Sequence, residues 1–502
     1  MTHLKHSHFK LGALVATLSL AGLALPAFAF DSGSTGADGA FSPTVNTELQ
    51  IPESGVFNFT TVDIPTGVTV TFKKNATNTP VVMLASGNVT IAGTINISGG
   101  SATHVGAAGD GNLGDDGLPG IGGPGGYDGG RGGLSGKVRG GAGLGPGGGG
   151  GGSQLGTAYW TYGGDITGGG GAGFAGAGAY SQPNLPDAPY NNTGIGGTAY
   201  GSNVLLPLIG GSGGGGGAGG LNFSGSGGGG GGGAILIASS GTVSVTGTIA
   251  ANGGASGNAA GDGMGATGGA GSGGAIRIVA TAIGGNGAIS ATNGGVGGGQ
   301  NYTGNPQYYA TSGGAASVGR IRLEAETFTR TATSNPSHSF GSPGSAFLAG
   351  LPTLRITSVA GVAAPTNPTG NADITLPSTT PNPVTVEFAT TGVPVGNTVS
   401  LKITPAYGTP TTVISPAITG STSAGVASVS ATLPTGPSVL SASTTYTIVT
   451  AMGEALSIYA QGETVEKVRL TTTMNGPTLA TLITQSGKEF DVPHAALAMI
   501  GG

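Results

Sequence analysis

Apolar and polar residues alternate along this chain in short bursts broken by glycine. In Ile235-Leu236-Ile237, Val243-Ser244-Val245 and Thr248-Ile249-Ala250 the bursts lie between Gly or Ser-Gly steps, the signature of short, half-buried strands. The bursts also recur. VVMLASGNVTIAGTINISGG (Val81 to Gly100), AILIASSGTVSVTGTIAANGG (Ala234 to Gly254) and AIRIVATAIGGNGAISATNGG (Ala275 to Gly295) align without gaps, and Arg320 to Ala325 repeats the first strand. A unit of two or three short strands cannot bury its apolar face alone, so such units stack. The pattern predicts a parallel β-helix whose coils lie about 4.8 Å apart and turn alternate side chains inward. In that register Ile235, Ile276 and Ile321 pile into one inward column.

Coils such as Val89-Thr90-Ile91-Ala92-Gly93-Thr94-Ile95 resemble those of secreted bacterial right-handed β-helix proteins, notably the stems of haemagglutinin-like adhesins. Pectin-lyase-like enzymes share that architecture. The resemblance implies an exported protein with an adhesive role or, as the alternative, a polysaccharide-acting lyase or glycosidase.

Between the coils the chain leaves after Ser98-Gly99-Gly100, Asn252-Gly253-Gly254 and Asn293-Gly294-Gly295, and returns before Ala234, Ala275 and Arg320. The three insertions (about 101–233, 255–274 and 296–319) are therefore expected side by side on one edge. Glycine recurs in them every third residue, as from Gly111 to Leu134, at Gly211, Gly214, Gly217 and Gly220, and at Gly265, Gly268, Gly271 and Gly274. That period fits extended left-handed helices with one bare face, which can pack closely. Sparse Pro and a break at Ser135 disfavour a collagen trimer, so a polyglycine II-like bundle within one chain is expected. Ordering a residue costs about 1–2 kcal/mol and a backbone hydrogen bond returns about 0.5–1.5 kcal/mol net, so the bundle needs its ends pinned. Flexible glycine linkers are the alternative.

After about Phe340 the texture shifts to Thr, Ser, Pro and Val. Alternating segments (Val384 to Phe388, Val399 to Ile403, Tyr446 to Ile448), with no helical stretch, predict an immunoglobulin-like β-sandwich over 346–452. A small β-hairpin tail is expected over 453–502. At the other end Lys5 and Lys10, the apolar run Leu11 to Leu25 and Pro26-Ala27-Phe28-Ala29 read as a signal peptide, 1–29, cut after Ala29. Its loss takes the formal net charge of −5 two units lower. The β-helix then spans 30–345. The fold class expected is all-β, and the location extracellular or at the cell surface, with the periplasm also open. No integral membrane span is expected in the mature chain.

Composition narrows the chemistry. Glycine is 109 of 502 residues and charged residues are 7%, which argues against helical structure and against nucleic-acid binding. Cysteine is absent, so disulfides and thiolate metal sites are excluded. Gly132-x-x-x-Gly136-Lys137-Val138 is a chance likeness to a phosphate loop, one residue short and lacking the hydroxyl that would hold magnesium.

Three groups remain as candidates. Arg277 and Arg322 share a repeat position on an outer face with Glu324 two residues along, where β-helix enzymes place catalytic carboxylates. No second acid stands on neighbouring coils, so an exterior ladder relieved by Glu324 is the expectation. Asp110, Asn112, Asp115 and Asp116 could offer oxygen ligands to calcium, but the spacing matches no calcium motif and reads as solvated turns. Tyr159, Trp160, Tyr162, Tyr180, Tyr190 and Tyr200 are either a contact surface for ligands or plugs that close the glycine bundle. No cofactor is implied. The partners expected are glycans or matrix and surface proteins, in a non-catalytic structural or adhesive role. Ice binding is a third reading, weakened because Thr69-x-Thr71 and Thr246-x-Thr248 are too sparse for a long hydroxyl row.

Overall fold

The computed structural model describes residues 30–497 except 53, 104–116, 155–165, 182–193, 221–222, 259–264, 298–311, 347–350, 366–372, 461, 475–477, 493 and 495. Nearly all of the regular structure is β, with parallel sheets in the first part of the chain and antiparallel sheets in the second. Among the described residues no helix is long and apolar enough to cross a membrane.

One parallel sheet runs in the order β1 (Gly39–Phe41), β3 (Val56–Ile64), β5 (Val81–Ala85), β8 (Ala234–Val245), β10 (Ala275–Gly284), β12 (Arg320–Phe328), β13 (Ser339–Gly341); β6 (Val89–Ile91) pairs with β3 and β8. A second runs β11 (Ala288–Ser290), β9 (Thr248–Ala250), β7 (Thr94–Asn96), β4 (Thr69–Lys73), β2 (Thr47–Gln50). Ile235, Ile276 and Ile321 are direct neighbours across β8, β10 and β12 and are buried. Ile95, Ile249 and Ile289 form the matching row on the second sheet, and the two rows belong to one core with Phe57, Phe59 and Met83. Each fully buried side chain of this size contributes about 1.5–3 kcal/mol, which is what holds the stack together.

The gapless alignment fails at one point. Ala275 to Ala280 pair with Ala234 to Ser239, but Ala282 pairs with Thr242 and Ile283 with Val243. Two residues of β8, Ser240 and Gly241, thus oppose the single Thr281, whose hydroxyl donates to Ser240 O at 2.8 Å. A one-residue slip would turn every later side chain to the wrong face; the bulge absorbs the extra residue and keeps Val243 and Ile283 inward. Two bursts expected as separate strands are also continuous through this bulge, as β8. Stacking begins earlier than the repeats show, since β3 already lies in register beneath β5, Val56 on Val82.

In the second part, one antiparallel sheet orders β15 (Val362–Ala363), β14 (Thr353–Val359), β16 (Val384–Thr391), β20 (Ala424–Ala431), β19 (Thr419–Ser421). The other orders β18 (Thr411–Ala417), β17 (Thr398–Pro405), β21 (Ser438–Thr447), β22 (Val465–Thr473), β23 (Leu479–Thr484), β24 (Glu489–Val492). Strict alternation in β16 and β17 buries Val386 and Phe388 against Leu401 and Ile403 in a shared core. Two expectations are corrected. The tail is not a separate hairpin, because β22 pairs along β21 and extends its sheet. A short helix, α1 (Thr450–Leu456), also interrupts a stretch read as purely strand and buries Leu456.

Candidate functional site

The insertions define the most unusual region of the molecule. From Gly211 to Gly219 the backbone amides point in directions that repeat every three residues. Gly211, Gly214 and Gly217 donate to the carbonyls of Gly232, Gly229 and Ser226; Gly213, Gly216 and Gly219 donate to Leu144, Gly141 and Val138; Gly215 and Ala218 donate to Gly170 and Thr167. The carbonyls follow the same rotation. Those of Gly211, Gly214 and Gly217 accept from Tyr127, Gly130 and Gly133; those of Gly213 and Gly216 from Gly149 and Gly152; those of Gly215 and Ala218 from Gly269 and Ala266. All these bonds measure 2.7–3.1 Å. The segment is thus ringed by six neighbouring segments, and the backbone N–H groups of Gly211 to Gly219 and the carbonyls of Gly211 to Ala218 are satisfied within the protein.

Glycine is required there for a steric reason. A Cβ added at Gly213, Gly214, Gly215, Gly216 or Gly217 would stand closer than 3.0 Å to a neighbour's carbonyl. Where side chains do enter, they are small or replace a backbone bond. Ser212 N donates to Ser272 Oγ at 2.9 Å and Gly268 N to Ser226 Oγ at 2.9 Å, with all three serines fully buried.

The three insertions belong to one lattice. Thr267 to Ser272 of the second bonds the first, and Gly314 of the third donates to Gly169 and accepts from Ala270. Their return points hook onto the core: Gly233, Gly274 and Gly319 donate to Ile97, Ala251 and Ala291 at 2.7–2.8 Å. Lys74 reaches Asp128 at 3.4 Å, and Asp128 Oδ1 also accepts from Gly122 N at 2.7 Å.

Arg277 and Arg322 are neighbours in register, as their repeat position predicts. The expected exposed ladder is overturned, however, because Arg277 is 1% and Glu324 2% exposed. Arg277 grips Glu324 through Nε (3.3 Å) and Nη2 (2.9 Å), and Arg322 Nε adds a bond at 2.9 Å. The chain leaving the stack closes over the group. Gly344 N donates to Glu324 Oε2, and Arg277 Nη2 donates to Ser345 O, both at 2.9 Å. Burial raises the Glu324 carboxyl, but the bonds from Arg277, Arg322 and Gly344 outweigh it and hold the pKa below the usual carboxylate value. A carboxylate so held neither gives nor takes a proton near neutrality. The reason for the cover lies in the surrounding face, where Leu84, Leu236, Ala238 and Val279 point outward yet are buried in a cluster shared with Leu205, Leu208 and Ile209 and with the second antiparallel part.

The aromatic candidates divide. Tyr180 is 51% exposed. Tyr200 is a plug: its hydroxyl donates to Gly210 O at 2.6 Å and accepts from Ser212 Oγ at 2.9 Å, and its ring lies 4.7 Å from that of Phe174. Burial pushes the Tyr127, Tyr200 and Tyr459 phenols above the usual tyrosine range. Tyr127 and Phe174 carry no repeat signal and were not singled out from sequence; an aromatic placed beside a glycine run is the signal that could have found them. Tyr159, Trp160, Tyr162, Tyr190, Asp110, Asn112, Asp115 and Asp116 lie outside the described residues.

The phosphate-loop likeness is a reversing turn, in which Gly136 N and Lys137 N both donate to Gly220 O. On the second parallel sheet Thr69, Thr94 and Thr248 share one register position, a row that ends at Ala288. The chain matches no family model, no curated protein and no solved structure.

Proposed function

We propose that this is an exported, non-catalytic structural or adhesive protein of the cell surface or extracellular matrix. In this reading residues 1–29 direct export and the two parallel sheets are walls of a β-helix akin to adhesin stems. The insertions pack as a polyglycine II-like bundle, and the antiparallel part is an immunoglobulin-like sandwich. The observation that carries the reading is the ring of six neighbours around Gly211 to Gly219. A lattice of bare backbone is stiff, neutral and without a reactive side chain, which suits a spacer or a contact slab and offers nothing to a reaction. Its surface displays Ile121, Leu134, Leu144, Tyr180 and Ile195, apolar and amphipathic groups suited to glycan or protein contact. The sealed Glu324 weighs against the polysaccharide-acting alternative.

The test is a binding screen of the secreted chain against glycans and matrix proteins, beside an assay for polysaccharide cleavage. The expected result is saturable binding, weakened by Tyr180→Ser with Leu144→Ser, and no cleavage. Polysaccharide turnover lost in Glu324→Gln would overturn the proposal.

A further inference from the structure

We infer that the two ends of the parallel stack form a self-association interface through which copies of this chain join head to tail. At the final end, Phe340 on β13 is the register partner of Leu323, which itself pairs with the core residue Ile278. Phe340 therefore occupies an inward position, yet it is 72% exposed, because among the described residues no further strand lies over β13. Phe328, the partner of the buried Ile283, stands edge-on to Phe340 at 6.2 Å and is 38% exposed.

The starting end is open in the same way. Phe41 on β1 and Leu49 on β2 pair with the core residues Val62 and Phe72 but are only partly buried, and Val45 between them is 69% exposed. Stacks of this kind require a polar cap if they are to stand alone in water. Here the apolar interior emerges at both ends.

The occupant is a second copy for two reasons. First, β1 and β2 are outermost in their sheets at one end and β13 at the other, and an apolar end of one copy meets the geometry of its own sheets in the opposite end of the next. Second, the charges complement. Exposed Asp38 and Glu48 lie at the starting end, whereas the half-buried Arg330 lies at the final end, bonded to Gly285 O and Gly287 O just before β11. Because β2 and β11 are opposite edges of one sheet, Glu48 of one copy falls on the Arg330 side of the next. Such a contact is heterologous, so it extends as an open series. It goes beyond the structural or adhesive reading, and either can fail alone.

The test is sedimentation velocity of the mature chain over a wide concentration range, with folding of each variant verified by circular dichroism and melting. The wild type is expected to form an open, concentration-dependent series. Phe340→Glu blocks the final end and Val45→Glu the starting end, so each alone is expected to be monomeric. Mixed together, they are expected to yield a dimer and nothing larger, through the one intact end of each. Glu48→Arg, which leaves the apolar groups in place, is expected to weaken the series at low salt. A monomer at every concentration, association that survives both end substitutions, or a closed wild-type dimer unchanged by mixing would overturn the inference.

Discussion

A single methyl group is enough to distinguish lattice glycines from ordinary ones. Gly215→Ala forces a Cβ against the carbonyl of Gly150, whereas Gly295→Ala meets nothing nearer than Ala255 Cβ at 3.8 Å. Overpacking of this kind costs about 1–3 kcal/mol, so calorimetry should show a lowered melting temperature for the first and little change for the second. At Glu324 the prediction concerns charge. Removing one partner of a buried ion pair costs about 3–5 kcal/mol, and Glu324→Gln should destabilise by that order in a denaturant melt. The sign of the pH effect follows from the depressed pKa. The contribution is fully present above the carboxyl's ordinary value of 4.5 and is lost as pH falls through the lower folded value. Acid melts of wild type and Glu324→Gln should therefore converge below pH 4.5. The shared register of Arg277 and Arg322 was legible in the sequence, because inward Ile276 and Ile278 match Ile321 and Leu323 at the same spacing. The burial of Arg277 and Glu324 was not, because the cover comes from Gly344 and Ser345, residues with no periodic pattern.

Among elements, the repeat predicted the inward column but not the bulge in β8. Both copies contain the same number of residues, so an ungapped alignment is complete, and the shift is visible only in the pairing, of Ile283 with Val243 and of Ile289 with Ile249. The early strands stand outside the repeat because their spacing differs: VFNFTTVDI and TVTFK alternate as strands do, but Val56 lies on Val82 and Val62 on Val89, so no gapless alignment joins them to the later strands. In the antiparallel part, local alternation reads β22 and β23 as a hairpin of their own, while the pairing of β22 with β21 is a long-range contact that local alternation cannot report. This pairing has a measurable consequence. Leu482 on β23 is fully buried in the core shared with Leu401 and Val468, and Leu482→Ala should cost about 2–5 kcal/mol. The account expects the unfolding transition of the whole antiparallel part to move; a tail that unfolds alone while β16, β17 and β21 keep their melting temperature would contradict it.

For the molecule as a whole, the question is how a chain so rich in glycine stays ordered. The entropy of fixing the insertions exceeds what isolated backbone bonds return, so order depends on the stack beneath them, through the hooks at Gly233, Gly274 and Gly319. Three insertions leaving one seam also place their segments beside one another before any bond forms, which lowers the loop-closure cost. The measurement that tests this most directly is hydrogen exchange of the intact chain, read on peptides spanning Gly211 to Gly219. The account predicts amides slowed at least about a thousandfold relative to an unstructured chain, an opening free energy near 4 kcal/mol, exchanging no faster than the amides of β8 and β10 allow. Exchange of Gly211 to Gly219 at the rate of a free polyglycine chain, with β8 and β10 still protected, would contradict it.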